Sequence, residues 1–480
     1  MVSTEFREAL KLCMDKNGLT VSELSRKSGV TRTLIHAILN GTRRLVPQKF
    51  GTMINRRFFP SEDCEQLFGA YLSEELTQEE RSLFREMLCG LRGETADEIR
   101  GVGHGAAPSF PDLPHAGVGT VIHGRDGVVG AIARVVCEGT EKFISDFDFD
   151  GVISPIVLRA YADKKIGSVT HPVRLGGANG TYDPAKKLKN LFAALAFAEA
   201  GIATTEDDRG GGAWDRYILT DRYFIQYSSD LSQALILPPE NAPDTLGERR
   251  DAKSDLTTVF NGVFDAVVGN EMEEMPSGQK RLFSVCDVIP ECFVTEDDIL
   301  RSIAPEVPEK DKSIMTMGLR KHYEVILGPD FYGNVPTGTL CCVMPDSAIT
   351  EFVANGRIKD APPAVFPFVP YDVRANMLRP FLSRPNAEIR IVDSHVFGKM
   401  RTNIEGNSRN LILAGVTGGD INAPGAFKDI RVASRDRNLS SAVLKLIDYF
   451  VGSHYCLGEK DGRLFLEQQI ISLNALAAGE

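Results

Sequence analysis

No two of the nine cysteines stand at C-x-x-C spacing, and their number is odd. A disulfide framework and a clustered zinc site are both disfavoured, and a reducing, cytoplasmic setting is expected. The eight histidines contain no H-x-x-x-H or H-E-x-x-H pair, so local spacing supports no metal site. No G-x-x-x-x-G-K-[ST] loop occurs. The glycine clusters at 101–105, 176–177, 210–212 and 418–419 lack the fingerprint of a dinucleotide loop, and no cofactor is expected. Long apolar runs are missing as well. Leu191 to Ala203 is the most apolar stretch, yet it contains Glu199 and falls short of the roughly 20 residues a membrane helix needs. Met1 to Lys11 is charged where a signal peptide needs an apolar core, so neither export nor a membrane partner is expected. Trp214 is the single tryptophan and reads as a core anchor beside a glycine-rich run.

What is present is ordinary globular composition, 43% hydrophobic and 25% charged over 480 residues. That length accommodates two to four domains of about 100–200 residues each. The charge is unevenly placed. Residues 1–57 carry 11 Lys and Arg against 4 Asp and Glu, so this segment is +7 while the remainder is −18. Contact with an anionic polymer therefore belongs to the head, because like-sign repulsion disfavours the rest of the chain.

Periodicity divides the chain further. Phe6, Ala9, Leu10, Cys13 and Met14 share a helical face, and short helices continue through residue 75. One more amphipathic helix over 76–91 leads into a Gly- and Pro-rich arm, so 76–119 reads as helix plus flexible linker. Residues 120–245 alternate strand and helix signals: strands at Lys142–Phe149 and Ser168–Leu175, helices at Val152–Ala162 and Ala185–Ala200, then strands at Arg216–Tyr227 and Gln233–Leu237. Residues 246–480 form a mixed region. It has a helical signal at Leu256–Val268, strands at Ile389–Val392 and Asn410–Gly415, and helices at Leu439–Val451 and Leu464–Ala477. No internal repeat is visible. The expected class is multidomain, an all-α helix-turn-helix N-terminal domain (1–75) followed by a mixed α/β C-terminal body.

The most specific pattern is Leu19 to Gly41, LTVSELSRKSGVTRTLIHAILNG. Two tightly crossed helices need a small residue at the crossing, a glycine at the turn and buried aliphatics at fixed offsets. Ser25, Gly29 and the set Leu24, Val30, Ile35 and Ile38 supply them. Thr20 is placed to cap the first helix with Glu23 completing a capping box, and Thr31 to cap the second, whose N-terminus suits a phosphate. Arg32, Thr33 and His36 would face outward toward base edges, Arg32 with a bidentate fork suited to guanine. Thr31, Arg43, Arg44 and Lys49 would face phosphates, with Arg56 and Arg57 nearby, and Pro47 fits the first turn of a fourth helix.

On these residues, segment 5–60 resembles the lambda repressor-like, Cro-type (XRE) helix-turn-helix family. The resemblance implies a small helical domain whose third helix enters the major groove of double-stranded DNA. Val21, Ala37 and Leu39 depart from it, standing where that family often has polar contact residues. The segments Trp214–Leu237 and Lys445–Ile470 are similar to the companion region of long single-helix-turn-helix regulators of Firmicutes-type bacteria, which implies a body that senses a small-molecule effector or mediates assembly. The expected function is thus a homodimeric transcriptional regulator rather than an enzyme. The rival is Phe147 to Ser154, FDFDGVIS, which opens like a haloacid dehalogenase-type phosphohydrolase with Asp148 as nucleophile, Asp150 as acid/base and magnesium between them. Thr170, Lys399 and Asp420 lie in no matching motif, and an aspartate-capped helix start accounts for the same residues.

Overall fold

The spacing of Phe6, Leu10, Cys13 and Met14 builds helix α1 (Glu5–Lys16) in the computed structural model, all four side chains buried. The structure describes residues 5–97, 119–145, 152–174, 183–199, 202–207, 216–242, 257–259, 281–287, 289, 295–313, 316, 339–356, 358, 366–383, 387–415 and 430–479. After α1 come α2 (Val21–Ser28), α3 (Arg32–Leu39), α4 (Pro47–Met53), α5 (Ser61–Glu75) and α6 (Gln78–Arg92). Pro47 at the start of α4 sits where its missing N–H has no intrahelical partner to lose. Thr77 and Glu80 close a capping box at the start of α6.

The rest of the chain carries two mixed seven-stranded sheets. The first is built from β1 (Val121–His123), β2 (Thr140–Ser145), β3 (Ile166–Arg174), β4 (Ala203–Asp207), β5 (Arg216–Thr220), β6 (Phe224–Tyr227) and β7 (Gln233–Leu237). The second is built from β8 (Thr257–Val259), β9 (Arg281–Val285), β10 (Thr339–Pro345), β11 (Ala387–Val392), β12 (Thr402–Gly406), β13 (Leu411–Gly415) and β14 (Ile430–Ser434). In space the first runs 1-7-6-5-2-3-4 and the second 8-14-13-12-9-10-11. The two orders are the same order. Strands β2, β3 and β4 pair in parallel, as do β9, β10 and β11. Every other neighbouring pair is antiparallel in both sheets. The body therefore contains one strand topology twice, a repeat that the sequence does not display.

Side chains in the second sheet alternate between two cores. Phe283, Val285, Cys341, Val343, Ile404, Leu411 and Leu413 face one cluster, while Leu282, Cys286, Leu340, Cys342, Met344 and Ile412 face the other. Cys341 and Cys342 are both buried and point opposite ways, and burial pushes the Cys341 thiol up to about 12, so neither is poised as a nucleophile. Helix Pro184–Glu199 lies between the sheets, touching β3 and β4 of the first and β13 and β14 of the second. Residues Leu191 to Ala198 are all buried, so the second half of this helix is apolar on every side, while its first half carries the half-buried Lys186, Lys187 and Lys189.

Two expected elements differ. Arg216–Tyr227 is a hairpin rather than one strand, since Thr220 Oγ1 accepts the N–H groups of Arg222 and Tyr223 at 3.3 and 3.0 Å. The Asp221 carboxylate then accepts the Glu141 and Lys142 N–H groups, pinning the turn. Within Leu256–Val268 the described residues form β8, whose pairing with β14 overrides the helical signal.

Head and body share a core. Phe6, Leu24, Ile35, Phe50 and Phe68 belong to the same buried cluster as Leu188, Phe192, Val343, Leu446 and Phe450. The contact is tightest where α4 meets the end of helix Arg437–Val451. The Gly51 N–H donates to the Gly452 carbonyl at 2.5 Å, and a Cβ on Gly452 would stand 2.0 Å from the Pro47 carbonyl oxygen. Beside it, buried His454 packs edge-on against Phe68 with centroids 5.4 Å apart, and Tyr71 lies 6.1 Å from Tyr449. Arg57 pairs with Asp461 at 2.7 Å, and Lys445 pairs with Glu80. The head is thus seated on the body by packing, in addition to the covalent connection through 76–119.

Two predictions follow from this seam. Gly452→Ala is expected to lower stability by about 1–3 kcal/mol, because backbone must shift to admit the methyl. Gly69→Ala, whose new Cβ meets nothing on the exposed face of α5, should instead raise it by up to about 1 kcal/mol. Urea denaturation of both variants measures the contrast. Neither ring nitrogen of His454 has a hydrogen-bond partner among the described residues. Burial, with the charges of Arg56 and Arg92 adding to it, lowers its pKa from 6.5 to about 4. The unfolded chain takes up this proton first as the pH falls, so the stability is complete above about 6.5 and is lost on the way down to about 4. The loss is on the order of 3 kcal/mol. Thermal unfolding between pH 7 and 4 should show a slope that His454→Phe reduces.

Candidate nucleic-acid interface

The segment that positions the outward side chains is fixed locally at three points. Thr20 Oγ1 accepts the Glu23 N–H at 3.2 Å while the Glu23 carboxylate accepts the Thr20 N–H at 2.9 Å. The Thr20 backbone N–H, followed by the Thr20 hydroxyl donating at 2.8 Å, holds the Glu23 carboxyl below its usual pKa. Gly29 ends α2 with φ +73°, a left-handed conformation that disfavours any side chain, and its N–H donates to the Ser25 carbonyl at 2.9 Å. Thr31 then opens α3, its Oγ1 accepting the Leu34 N–H at 3.3 Å. Leu24, Val30, Ile35 and Ile38 are buried together beneath this turn.

At 100° per residue, Ile35 and Ile38 set the buried side of α3, and the opposite arc is swept by Arg32, His36, Asn40 and Thr33. All four are exposed. Asn40 is thus a further polar group on this arc. The N–H groups of Arg32 and Thr33 lie in the first turn of α3, where a helix offers no acceptor to them.

The expected phosphate-facing residues are not equivalent. Thr31, Arg43, Arg44 and Lys49 are all exposed, and no carboxylate lies within ion-pair distance of Arg43 or Lys49 among the described residues. Arg44 instead stands 3.8 Å from Glu75, whose carboxyl burial pushes above its usual pKa despite the guanidinium. Thr42 is occupied in closing α3, its hydroxyl donating to the Ala37 carbonyl at 3.0 Å. Arg57 is committed to Asp461 and Lys16 to Asp63 at 2.7 Å, so two basic residues serve internal pairs. Lys16 in turn, followed by Asn17, holds the Asp63 carboxyl below its ordinary pKa. Arg7 was not expected here. From α1 its guanidinium reaches over Gly41 and lines a small hollow with Arg43, Arg44, Glu74 and Glu75. Its position on the buried-periodic helix α1 gave no signal of this.

The rival constellation is not assembled in view. Asp148, Asp150, Asp420 and Trp214 lie outside the described residues, as do the glycine clusters. No group of three or more His, Cys, Asp or Glu side chains that could hold a metal occurs among the described residues. No described helix is long and apolar enough to cross a membrane.

No protein-family model matches the chain, and no curated protein does. Solved structures with some likeness include TrmBL2, described as an archaeal chromatin protein showing a novel mode of DNA binding. It is 11% identical over 47% of this chain and 73% of that one, with a TM-score of 0.19. Phosphatidylserine synthase of Haemophilus influenzae Rd KW20 is 10% identical over 80% of this chain and 97% of its own, at 0.24. Polyphosphate kinase of Porphyromonas gingivalis is 11% identical over 77% of this chain and 57% of its own, at 0.20. Scores of this size carry no argument about fold or function.

The cap and the outward cation separate in stability. Thr31→Ala should cost about 1 kcal/mol, because the Leu34 N–H loses its side-chain acceptor and keeps only the Thr31 carbonyl at 3.0 Å. Arg32→Ala should stay within about 0.5 kcal/mol of the parent, since the side chain is exposed. Urea midpoints of the two variants decide it.

Proposed function

We propose that this protein is a sequence-specific DNA-binding regulator that reads the major groove with α3. The observation that carries the reading is the exposed arc of Arg32, Thr33, His36 and Asn40, held opposite Ile35 and Ile38 on a capped helix that follows a left-handed glycine. A groove-reading helix needs donors and acceptors facing out on a rigid mount, with cations at its flanks for the phosphate ridges. Arg43 and Lys49 supply two such cations, with Arg7 beside Arg43, and the free first-turn amides of α3 suit a phosphate. The +7 charge of residues 1–57 against −18 elsewhere directs the duplex to this end of the molecule.

A single module of this kind buries roughly 600–1,000 Å² on DNA, too little for tight specific binding at physiological salt, so a homodimer on two half-sites is part of the proposal. The body then senses a small-molecule effector or supports assembly. It is read as non-enzymatic.

The test is capture of sheared genomic DNA by the full chain, followed by binding of the enriched duplex across a salt series. One sequence class should be enriched. Arg32→Ala should relax its base preference, whereas Arg43→Ala and Lys49→Ala should weaken all sequences alike and lower the salt slope by about 1 each. Arg44→Ala should do less, given Glu75 beside it. Enrichment of no class, or retention of it by the Arg32→Ala/His36→Ala/Arg43→Ala variant, overturns the reading.

A further inference from the structure

Helix Glu459–Ala477 has two apolar lines along its length, and only one is covered. Leu466, Ile470 and Leu473 are buried against helices Tyr371–Leu378 and Asp346–Asn355. On the opposite side, Leu464, Gln468, Ile471, Ala475 and Ala478 follow one another at spacings of 4, 3, 4 and 3 residues, all exposed. Leu464 keeps 52% and Ile471 66% of its surface in water. Spacing of this kind forms a straight seam for a second helix. The stretch from Gln468 to Gly479 holds no charged residue, in a chain that is 25% charged. Loss of charge with retention of large exposed apolar side chains such as Leu464 and Ile471 marks the centre of an interface rather than a solvated helix face.

We infer that this face is the contact between two copies of the chain, the two helices running antiparallel across a twofold axis at Ile471. The seam matches itself at its centre and at its two ends in that arrangement. Ile471 meets its own counterpart, and Leu464 of one copy falls opposite the small Ala478 of the other, large against small on both sides of the axis. Antiparallel placement also sets the helix dipoles head to tail, a favourable alignment. Two helices in contact over about 21 Å, with their neighbours, bury on the order of 1,000 Å², at the low end for a specific pair. The dimer is consequently weak and concentration-dependent. The proposal deepens the DNA-binding reading, on which its biological purpose rests, because Asp461 on this same helix holds Arg57 of the head at 2.7 Å. Pairing the helices fixes where two copies of α3 stand.

The test uses the full chain without DNA. Sedimentation equilibrium should show monomer and dimer exchanging in the micromolar range, and Ile471→Glu should raise the dissociation constant at least about tenfold. Its melting temperature should stay at the parent value, as the side chain is exposed. In a Cys137→Ser background, which removes the exposed thiol among the described residues, Ile471→Cys should cross-link on mild oxidation and Leu464→Cys should not. A chain that stays monomeric at 100-fold higher concentration (about 100 µM), or a dimer indifferent to Ile471→Glu, overturns the interface. Cross-linking through residue 464 and not 471 overturns the antiparallel pairing. A chain that dimerises as described but enriches no duplex sinks the DNA reading and leaves this one standing.

Discussion

The crossing of α4 with the end of helix Arg437–Val451 is the constraint on which the remaining architecture rests. Two glycines, Gly51 and Gly452, let the backbones come within hydrogen-bond distance, and the aromatic groups of Phe50, Phe68, Tyr71, Tyr449, Phe450 and His454 close around them. Once that seam is packed, the head no longer has an orientation of its own. The α2–α3 pair is fixed relative to the second sheet through a continuous apolar core. A change in how the body packs would be delivered to the outward face of α3 without passing through the Gly-rich arm.

The same core organises the body. Helix Pro184–Glu199 is connected within the first sheet's topology yet packs on the second, and α6 lies against it from the head side. Its residue Lys187 pairs with Asp436, the cap of helix Arg437–Val451, at 2.5 Å with both groups largely buried. Burial alone would raise the Asp436 pKa, but Lys187 and the N–H groups of Leu439 and Asn438 lower it on balance. The attraction within a buried charge pair of this kind is largely offset by the cost of taking both groups out of water, and losing one partner alone would be strongly destabilising. It ties the beginning of the helix whose far end meets the head.

Net charge and local pairing give different pictures of the head. Eleven basic residues in 57 suggest a uniformly cationic surface. Folding spends Lys16 on Asp63 and Arg57 on Asp461, and sets Arg44 against Glu75. The cationic surface left for an anion is narrower, centred on Arg32, Arg43 and Lys49, with Arg7 added from a helix that looked purely structural. Asp461 is separated from Arg57 by 404 residues, a pairing that no local pattern announces.

Much of the local structure was legible because it is decided by neighbours in the chain. The caps at Thr20 and Thr31, the left-handed turn at Gly29, the proline at the start of α4, the buried set Leu24, Val30, Ile35 and Ile38, and the outward placement of Arg32, Thr33 and His36 all follow from helical period and backbone sterics acting over a few residues. What the tertiary structure alone decided is long-range. It seated the head on the body, drew the same strand order twice from unlike sequences, turned Thr257–Val259 toward strand pairing, buried Leu191 to Ala198 on all sides, and left one line of helix Glu459–Ala477 uncovered. The reason is physical: a hydrophobic pattern states that a face must be buried, but carries no information about which distant surface will bury it.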